Sequence, residues 1–140
     1  MVLVTGGTGL VGSHLLLKLL EQGVKVRAIH RVESDLSRVE KIFSYYHRPS
    51  SKFLKKIEWV VADINTIPDL EKAFEGVSQV YHCAALISFN PNDYEQLHKV
   101  NVEGTANIVN LCISNNIEKL CYVSSIAAIG KSIDNHVATE

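Results

Sequence analysis

No apolar run in this sequence reaches the ~18 residues that a membrane-spanning helix requires, so no membrane anchor is expected within it. No secretory leader is apparent, because Met1 leads straight into a strand-like segment; the expectation is a cytoplasmic protein. No basic block points to nucleic acid. The formal net charge is −1, and the cluster of Lys52, Lys55 and Lys56 reads as a solvated loop or helix face. Cys83, Cys112 and Cys121 are odd in number, lie in apolar contexts and lack metal-ligand spacing. They read as reduced, buried thiols, with no metal and no disulfide framework. No linker divides the 140 residues, which are taken as one domain, 1–140. With 46% hydrophobic and 21% charged residues, the chain can bury a core of its own.

What the sequence does have is Val2-Leu3-Val4-Thr5 running into Gly6-Gly7-Thr8-Gly9-Leu10-Val11-Gly12, followed by a leucine-rich helical stretch. A parallel strand that presents a phosphate to a helix N-terminus is built this way. One glycine allows the sharp turn, one leaves no Cβ between backbone and pyrophosphate, and one lets the helix pack closely on the sheet. The helix start adds unpaired N–H groups and a positive dipole end. Two spacings fit: Gly7, Gly9 and Gly12 as G-x-G-x-x-G, or Gly6, Gly9 and Gly12 as G-x-x-G-x-x-G. No Gly-Lys-Ser/Thr closes this turn, which disfavours a Walker-type loop.

The remainder alternates strand and helix. Strands are predicted at Val2–Thr5, Val24–His30, Ile57–Ala62, Gln79–Cys83 and Leu120–Ser124. Helices are predicted at Leu10–Gln22, with Leu15, Leu16, Leu19 and Leu20 as the apolar face, at Ser34–Tyr46 with Ser34 as N-cap, at Pro68–Glu75 and at Asp93–Asn115. His47–Lys56 reads as a polar connector. Single helices between strands imply right-handed crossovers and a parallel, doubly wound α/β sheet of about five strands with helices on both faces. Ligands of such a sheet bind at the carboxyl ends of the strands, near the switch point.

The candidate chemistry lies at those ends. After the second strand comes His30-Arg31, with no acid until Glu33. A guanidinium there pairs with a 2′-phosphate, where a carboxylate would repel it. Arg31, helped by Arg38, therefore argues for NADP as the preferred cofactor, with NAD also accommodated; the bland alternative is a solvated loop charge. After the third strand, Asp63 can accept from an adenine amino group while Ile64 packs on the ring, or Asp63 is merely a turn acid. After the fourth strand, Ala84 and Ala85 allow close backbone approach, while His82 reads best as a core histidine satisfied by hydrogen bonds. Gly104 is costly inside a helix, by ~1 kcal/mol relative to Ala, and implies close helix packing. Asn101, if it points inward, could orient a ribose or a water. After the fifth strand, Ser124 and Ser125 face the expected nicotinamide position, where a hydroxyl can hydrogen-bond a reacting oxygen.

Together, Thr5-Gly6-Gly7-Thr8-Gly9-Leu10-Val11-Gly12, Asp63-Ile64, His82-Cys83-Ala84-Ala85, Asn101-Val102-Glu103-Gly104-Thr105 and Tyr122-Val123-Ser124-Ser125 resemble the extended short-chain dehydrogenase/reductase family, the NAD-dependent epimerase/dehydratases. The resemblance spans essentially the whole chain and implies a Rossmann fold. It implies that Gly6, Gly9, Leu10, Val11 and Gly12 hold the pyrophosphate. Asp63 and Ile64 would then meet adenine, Ala84 and Ala85 line the cleft, Asn101 and Ser124 complete the cofactor set, and Ser125 joins the catalytic set. The run Val-Arg-Ala-Ile-His-Arg looks like the dihydroflavonol-reductase and 3β-hydroxysteroid-dehydrogenase branch, where the arginine matched by Arg31 favours NADP.

Two departures from the family pattern matter. Ile129 stands where nucleotide-sugar enzymes commonly carry an aromatic residue before the glycine matched by Gly130, which weakens an assignment as a nucleotide-sugar epimerase. The family's Tyr-x-x-x-Lys pair is also missing: Tyr45, Tyr46, Tyr81, Tyr94 and Tyr122 are followed four residues later by Pro49, Ser50, Ala85, His98 and Ile126. Ser132–Glu140 resembles the loop that leads towards the pair. The expectation is the N-terminal, cofactor-binding part of a longer oxidoreductase or epimerase acting on a small-molecule substrate and inactive as these 140 residues alone. A non-catalytic dinucleotide sensor is the alternative from another class, and a flavodoxin-like phosphate binder a third. A homodimer through the Asp93–Asn115 helix is left open.

Overall fold

A computed structural model describes residues 1–129; Gly130 and the Ser132–Glu140 segment lie outside the described residues. Strand β1 is Val2–Thr5, β2 Val26–His30, β3 Ile57–Val61, β4 Gln79–His82 and β5 Lys119–Tyr122. They form one parallel sheet in the order β3-β2-β1-β4-β5. The order reverses between β1 and β4. Val2 pairs with both Val26 and Gln79, and Gln79 pairs with Lys119, so the strands run level and their carboxyl ends form one rim.

Period-2 alternation sends neighbouring β1 side chains to opposite faces. Val2 and Val4 join Leu16, Leu17, Leu19 and Leu20 of helix α1 (Leu10–Glu21) and Val39 and Phe43 of α2 (Ser37–Tyr46). Leu3 joins Leu70, Ala73 and Phe74 of α4 (Ile67–Phe74) and Ile108, Leu111 and Cys112 of α6 (Thr105–Ser114). The sheet is therefore doubly wound, with helices on both faces. Among the described residues no helix is long and apolar enough to cross a membrane.

Several expectations change in detail. Helix α2 starts at Ser37, not Ser34, because Asp35 Oδ1 accepts from the Ser37 N–H and hydroxyl. The connector holds a short helix, α3 (Ser51–Leu54), whose Phe53 and Leu54 pack against the α1–α2 core. The long helix is broken into a 3₁₀ turn at Pro91–Asp93, α5 at Tyr94–His98, a π-turn at Lys99–Gly104, and α6. Strand β2 is buried on both faces. Its Arg27 donates from Nη1 to the carbonyls of Ala73 (2.8 Å) and Glu75 (2.6 Å) and from Nε to Glu58 Oε1 (2.9 Å). A cation thus sits at the C-terminus of α4, where the helix dipole favours it. Of the three cysteines only Cys112 is buried; Cys83 is half-buried and Cys121 exposed, since every residue of β5 is exposed among the described residues.

Candidate dinucleotide site

The turn after β1 is fixed by contacts that only glycine permits. Gly6 has φ +66°, and a Cβ there would lie 2.6 Å from Ala84 N and 2.7 Å from the Cys83 carbonyl carbon. The Gly9 N–H donates to Gly6 O at 2.9 Å, closing the turn. Gly12, one helical turn on, has its α-carbon so close to Gly6 that a Cβ would overlap Gly6 O. The Gly6, Gly9, Gly12 spacing is thus the one that forms the turn and its helix contact. Gly7 instead packs on Leu16 and Ala28. Ser13 secures the helix start by donating its hydroxyl to Gly9 O at 2.7 Å. Helix α1 has no side-chain cap bond at its N-terminus and no acidic residue in its first turn. Its leading N–H groups and positive dipole end are therefore uncompensated by an internal carboxylate.

A second constraint joins β1 to β4. His82 is buried, with Nδ1 2.6 Å from Thr5 Oγ1 and Nε2 3.0 Å from Thr105 Oγ1. A neutral imidazole offers one donor and one acceptor, which two hydroxyls satisfy. Burial pushes its pKa down to about 4, so the ring is neutral at ordinary pH. It stacks on Tyr122, and the Ala84 N–H donates to the same Thr5 hydroxyl at 3.1 Å. His82 is the hydrogen-bonded core histidine that the sequence suggested.

Around this turn lies a cavity of about 220 Å³, lined from four strand ends. Gly6, Thr8 and Gly9 follow β1; His30, Arg31 and Ser34 close β2; Asp63, Ile64 and Asn65 follow β3; Cys83, Ala84, Ala85 and Leu86 follow β4. Burial raises the Cys83 thiol pKa, and the nearby Cys121 adds to the effect, so Cys83 is an uncharged wall residue. Asp63 Oδ1 accepts from Asn65 N (2.8 Å) and Asn65 Nδ2 (3.1 Å). Asn65 itself keeps a buried Oδ1 with no hydrogen-bond partner among the described residues. Gly104 lets the π-turn close on this wall, since a Cβ there would meet Ile64 Cδ1 at 2.5 Å.

Seven expected site residues therefore meet at the cavity: Gly6, Gly9, Arg31, Asp63, Ile64, Ala84 and Ala85. Others lie elsewhere. Leu10 and Val11 are exposed on the first turn of α1, and Gly12 is buried under Gly6. Arg38 is exposed, 3.8 Å from Asp35. Asn101 does not line the cavity; its Oδ1 accepts from Leu86 N (2.8 Å) and its Nδ2 donates to Leu86 O (2.9 Å), so it clamps the loop after β4. Ser124 and Ser125 follow β5, exposed and outside the lining. Sequence reasoning missed Thr8, Ser34, Asn65 and Leu86 as wall residues. The one available signal was Asn65 two places after Asp63, the spacing of an Asx turn.

The arrangement suits a dinucleotide: a turn without Cβ atoms, an uncapped helix start, and a wall with an unmet acceptor. The chain is similar to several known proteins. A dihydroflavonol 4-reductase candidate from Synechocystis is 40% identical over 137 residues, covering 98% of this chain and 36% of that relative. The crystal structure of gox2253 superposes with a TM-score of 0.78 at 33% identity, over 99% of this chain and 38% of that one. A short-chain dehydrogenase/reductase superfamily protein from Agrobacterium tumefaciens, solved with bound NAD, matches at 32% identity and TM-score 0.68, over 89% of this chain and 32% of that one. The chain thus spans roughly a third of the length of the curated relatives it matches. The profile of the 3-beta hydroxysteroid dehydrogenase/isomerase family covers residues 3–139, and the chain belongs to that family.

Proposed function

We propose that this chain binds NADP in preference to NAD, across the carboxyl ends of β1 to β4. In this reading it is the cofactor-binding part of an oxidoreductase that interconverts a small-molecule alcohol and carbonyl. The observation that carries the reading is the cavity built around Gly6 from four strand ends. It stands at the point where strand order reverses, which is where open α/β sheets take ligands.

Gly6, Gly9 and the leading N–H groups of α1, at Leu10, Val11 and Gly12, hold the pyrophosphate. Asp63 uses the carboxylate oxygen not engaged by Asn65 to accept from the adenine amino group, with Ile64 beside the ring. Arg31 meets the 2′-phosphate. The nicotinamide, when bound, supplies or receives the hydride. Ser125 hydrogen-bonds the reacting oxygen of the substrate. No Tyr-x-x-x-Lys pair occurs in the sequence, so these 140 residues hold and orient without moving the proton. His82, neutral and engaged by two threonines, keeps the β1–β4 crevice in shape and takes no part in proton transfer.

Calorimetric titration of NADP and NAD into the chain tests this. NADP should bind more tightly, and Arg31→Ala should lose roughly tenfold in NADP affinity, the scale of one charge-assisted phosphate contact, with little change for NAD. Equal affinities untouched by the substitution would remove the 2′-phosphate contact, and no binding of either cofactor would remove the reading itself.

A further inference from the structure

The segment that closes β2 carries two arginines and two acids, and each arginine is paired within it. Arg31 Nε lies 3.0 Å from Glu33 Oε1, and Arg38 Nε lies 3.8 Å from Asp35 Oδ2. The charges of Arg31, Glu33, Asp35 and Arg38 cancel, so the field at the β2 end is not the strongly positive one that a lone Arg31 would give. The geometry that sets the first pair is local and well defined. The Ser34 N–H donates to Arg31 O at 3.0 Å, and the Arg31 N–H donates to Ser34 Oγ at 3.1 Å. His30 Nδ1 donates to the same Arg31 carbonyl at 2.9 Å. This reciprocal turn puts Glu33 beside the Arg31 side chain while Arg31 and Ser34 themselves line the cavity.

We propose that Glu33 is a positioning residue for cofactor choice: it holds Arg31 in an ion pair that a 2′-phosphate must displace, and so keeps the NADP preference small enough for NAD to be used as well. The inference rests on the reading of Arg31 as the 2′-phosphate contact. Both partners are largely exposed, with side-chain exposures of 56% and 66%. The pair is therefore weak and exchangeable, which a displaceable restraint requires. A buried bidentate pair would instead exclude the phosphate.

The test is a titration of NADP and NAD against the wild-type chain, Glu33→Gln, Arg31→Ala and the double variant. Glu33→Gln should raise NADP affinity roughly three- to tenfold at low salt, leave NAD within about twofold, and lose most of its advantage at about 0.5 M salt. In the Arg31→Ala background most of the gain should vanish, because Glu33 acts through Arg31. The thermal midpoint of Glu33→Gln should match the wild type, so that altered folding does not explain the change. An unchanged NADP:NAD ratio in Glu33→Gln, with both cofactors binding the wild type, would overturn the role of Glu33 and leave the site reading standing. The full gain persisting without Arg31 would overturn it equally. No binding to the wild-type chain would overturn both.

Discussion

Gly6 and Ala84 lie in such close contact that a Cβ on Gly6 would stand 2.6 Å from the Ala84 nitrogen. The glycine turn after β1 and the alanine pair after β4 are therefore one structure, the floor of the crevice at the switch point. Gly6→Ala meets both this contact and a positive φ of +66°. It should destabilise the chain by about 2 kcal/mol or more and weaken cofactor binding in what remains folded. Urea unfolding followed by circular dichroism measures the first effect. A loss below about 0.5 kcal/mol would mean that the turn is not as tightly packed as described.

His82 makes stability depend on pH. Its pKa is about 4 in the folded chain against 6.5 for the free side chain. Between those values the unfolded chain binds the extra proton and the folded chain does not, so stability falls as pH falls from 6.5 towards 4. The contribution is complete above 6.5 and amounts to about 3 kcal/mol at most. Urea midpoints at pH 7 and pH 5 should differ in this sense for the wild type and differ less for His82→Gln. An equal pH slope in both proteins would show that other groups carry it.

Arg27 ties β2 to the end of α4 and to Glu58 on β3. Arg27→Ala strands the buried Ala73 carbonyl and the partly buried Glu75 carbonyl and should cost about 3 kcal/mol. Arg27→Lys should recover little of this, because one ammonium cannot reproduce the fork that reaches Ala73, Glu75 and Glu58 together. Full recovery by lysine would reduce the role of Arg27 to its charge.

Asn101 predicts a local effect. Asn101→Ala removes both bonds to Leu86, so the Leu86 amide should exchange with solvent roughly tenfold or more faster, while amides of β1 keep their protection. An unchanged Leu86 rate would mean that the loop is held by something else.

The strand ends were legible because they depend on local signals. A β-branched run followed by glycine gave β1 and its turn, and the alternation of strand and helix patterns gave the sheet. Arg27 was not legible: the acceptors that make its burial tolerable are the Glu58 carboxylate and backbone carbonyls far along the chain. Helix α3 was hidden because Ser51-Lys52-Phe53-Leu54 carries too few residues to show a period. The π-turn left one trace, the cost of Gly104 in a helix, and periodicity cannot reveal a turn widened by one residue. Asn101 was read as facing a ligand because a sequence cannot show that its partner is the backbone of Leu86. Arg31 was read as a cation at the end of the second strand, but its pair with Glu33 depends on the reciprocal Arg31–Ser34 turn, which residue types alone do not specify.

The central claim is where the dinucleotide sits. Backbone amide shifts of the isotopically labelled chain during addition of NADP test it most directly. The account predicts the largest changes at Gly6–Gly12, at Arg31 and Ser34, at Asp63–Asn65 and at Ala84–Leu86, with little change along α3 and the outer face of α4. Saturable changes clustered away from these four strand ends would contradict it.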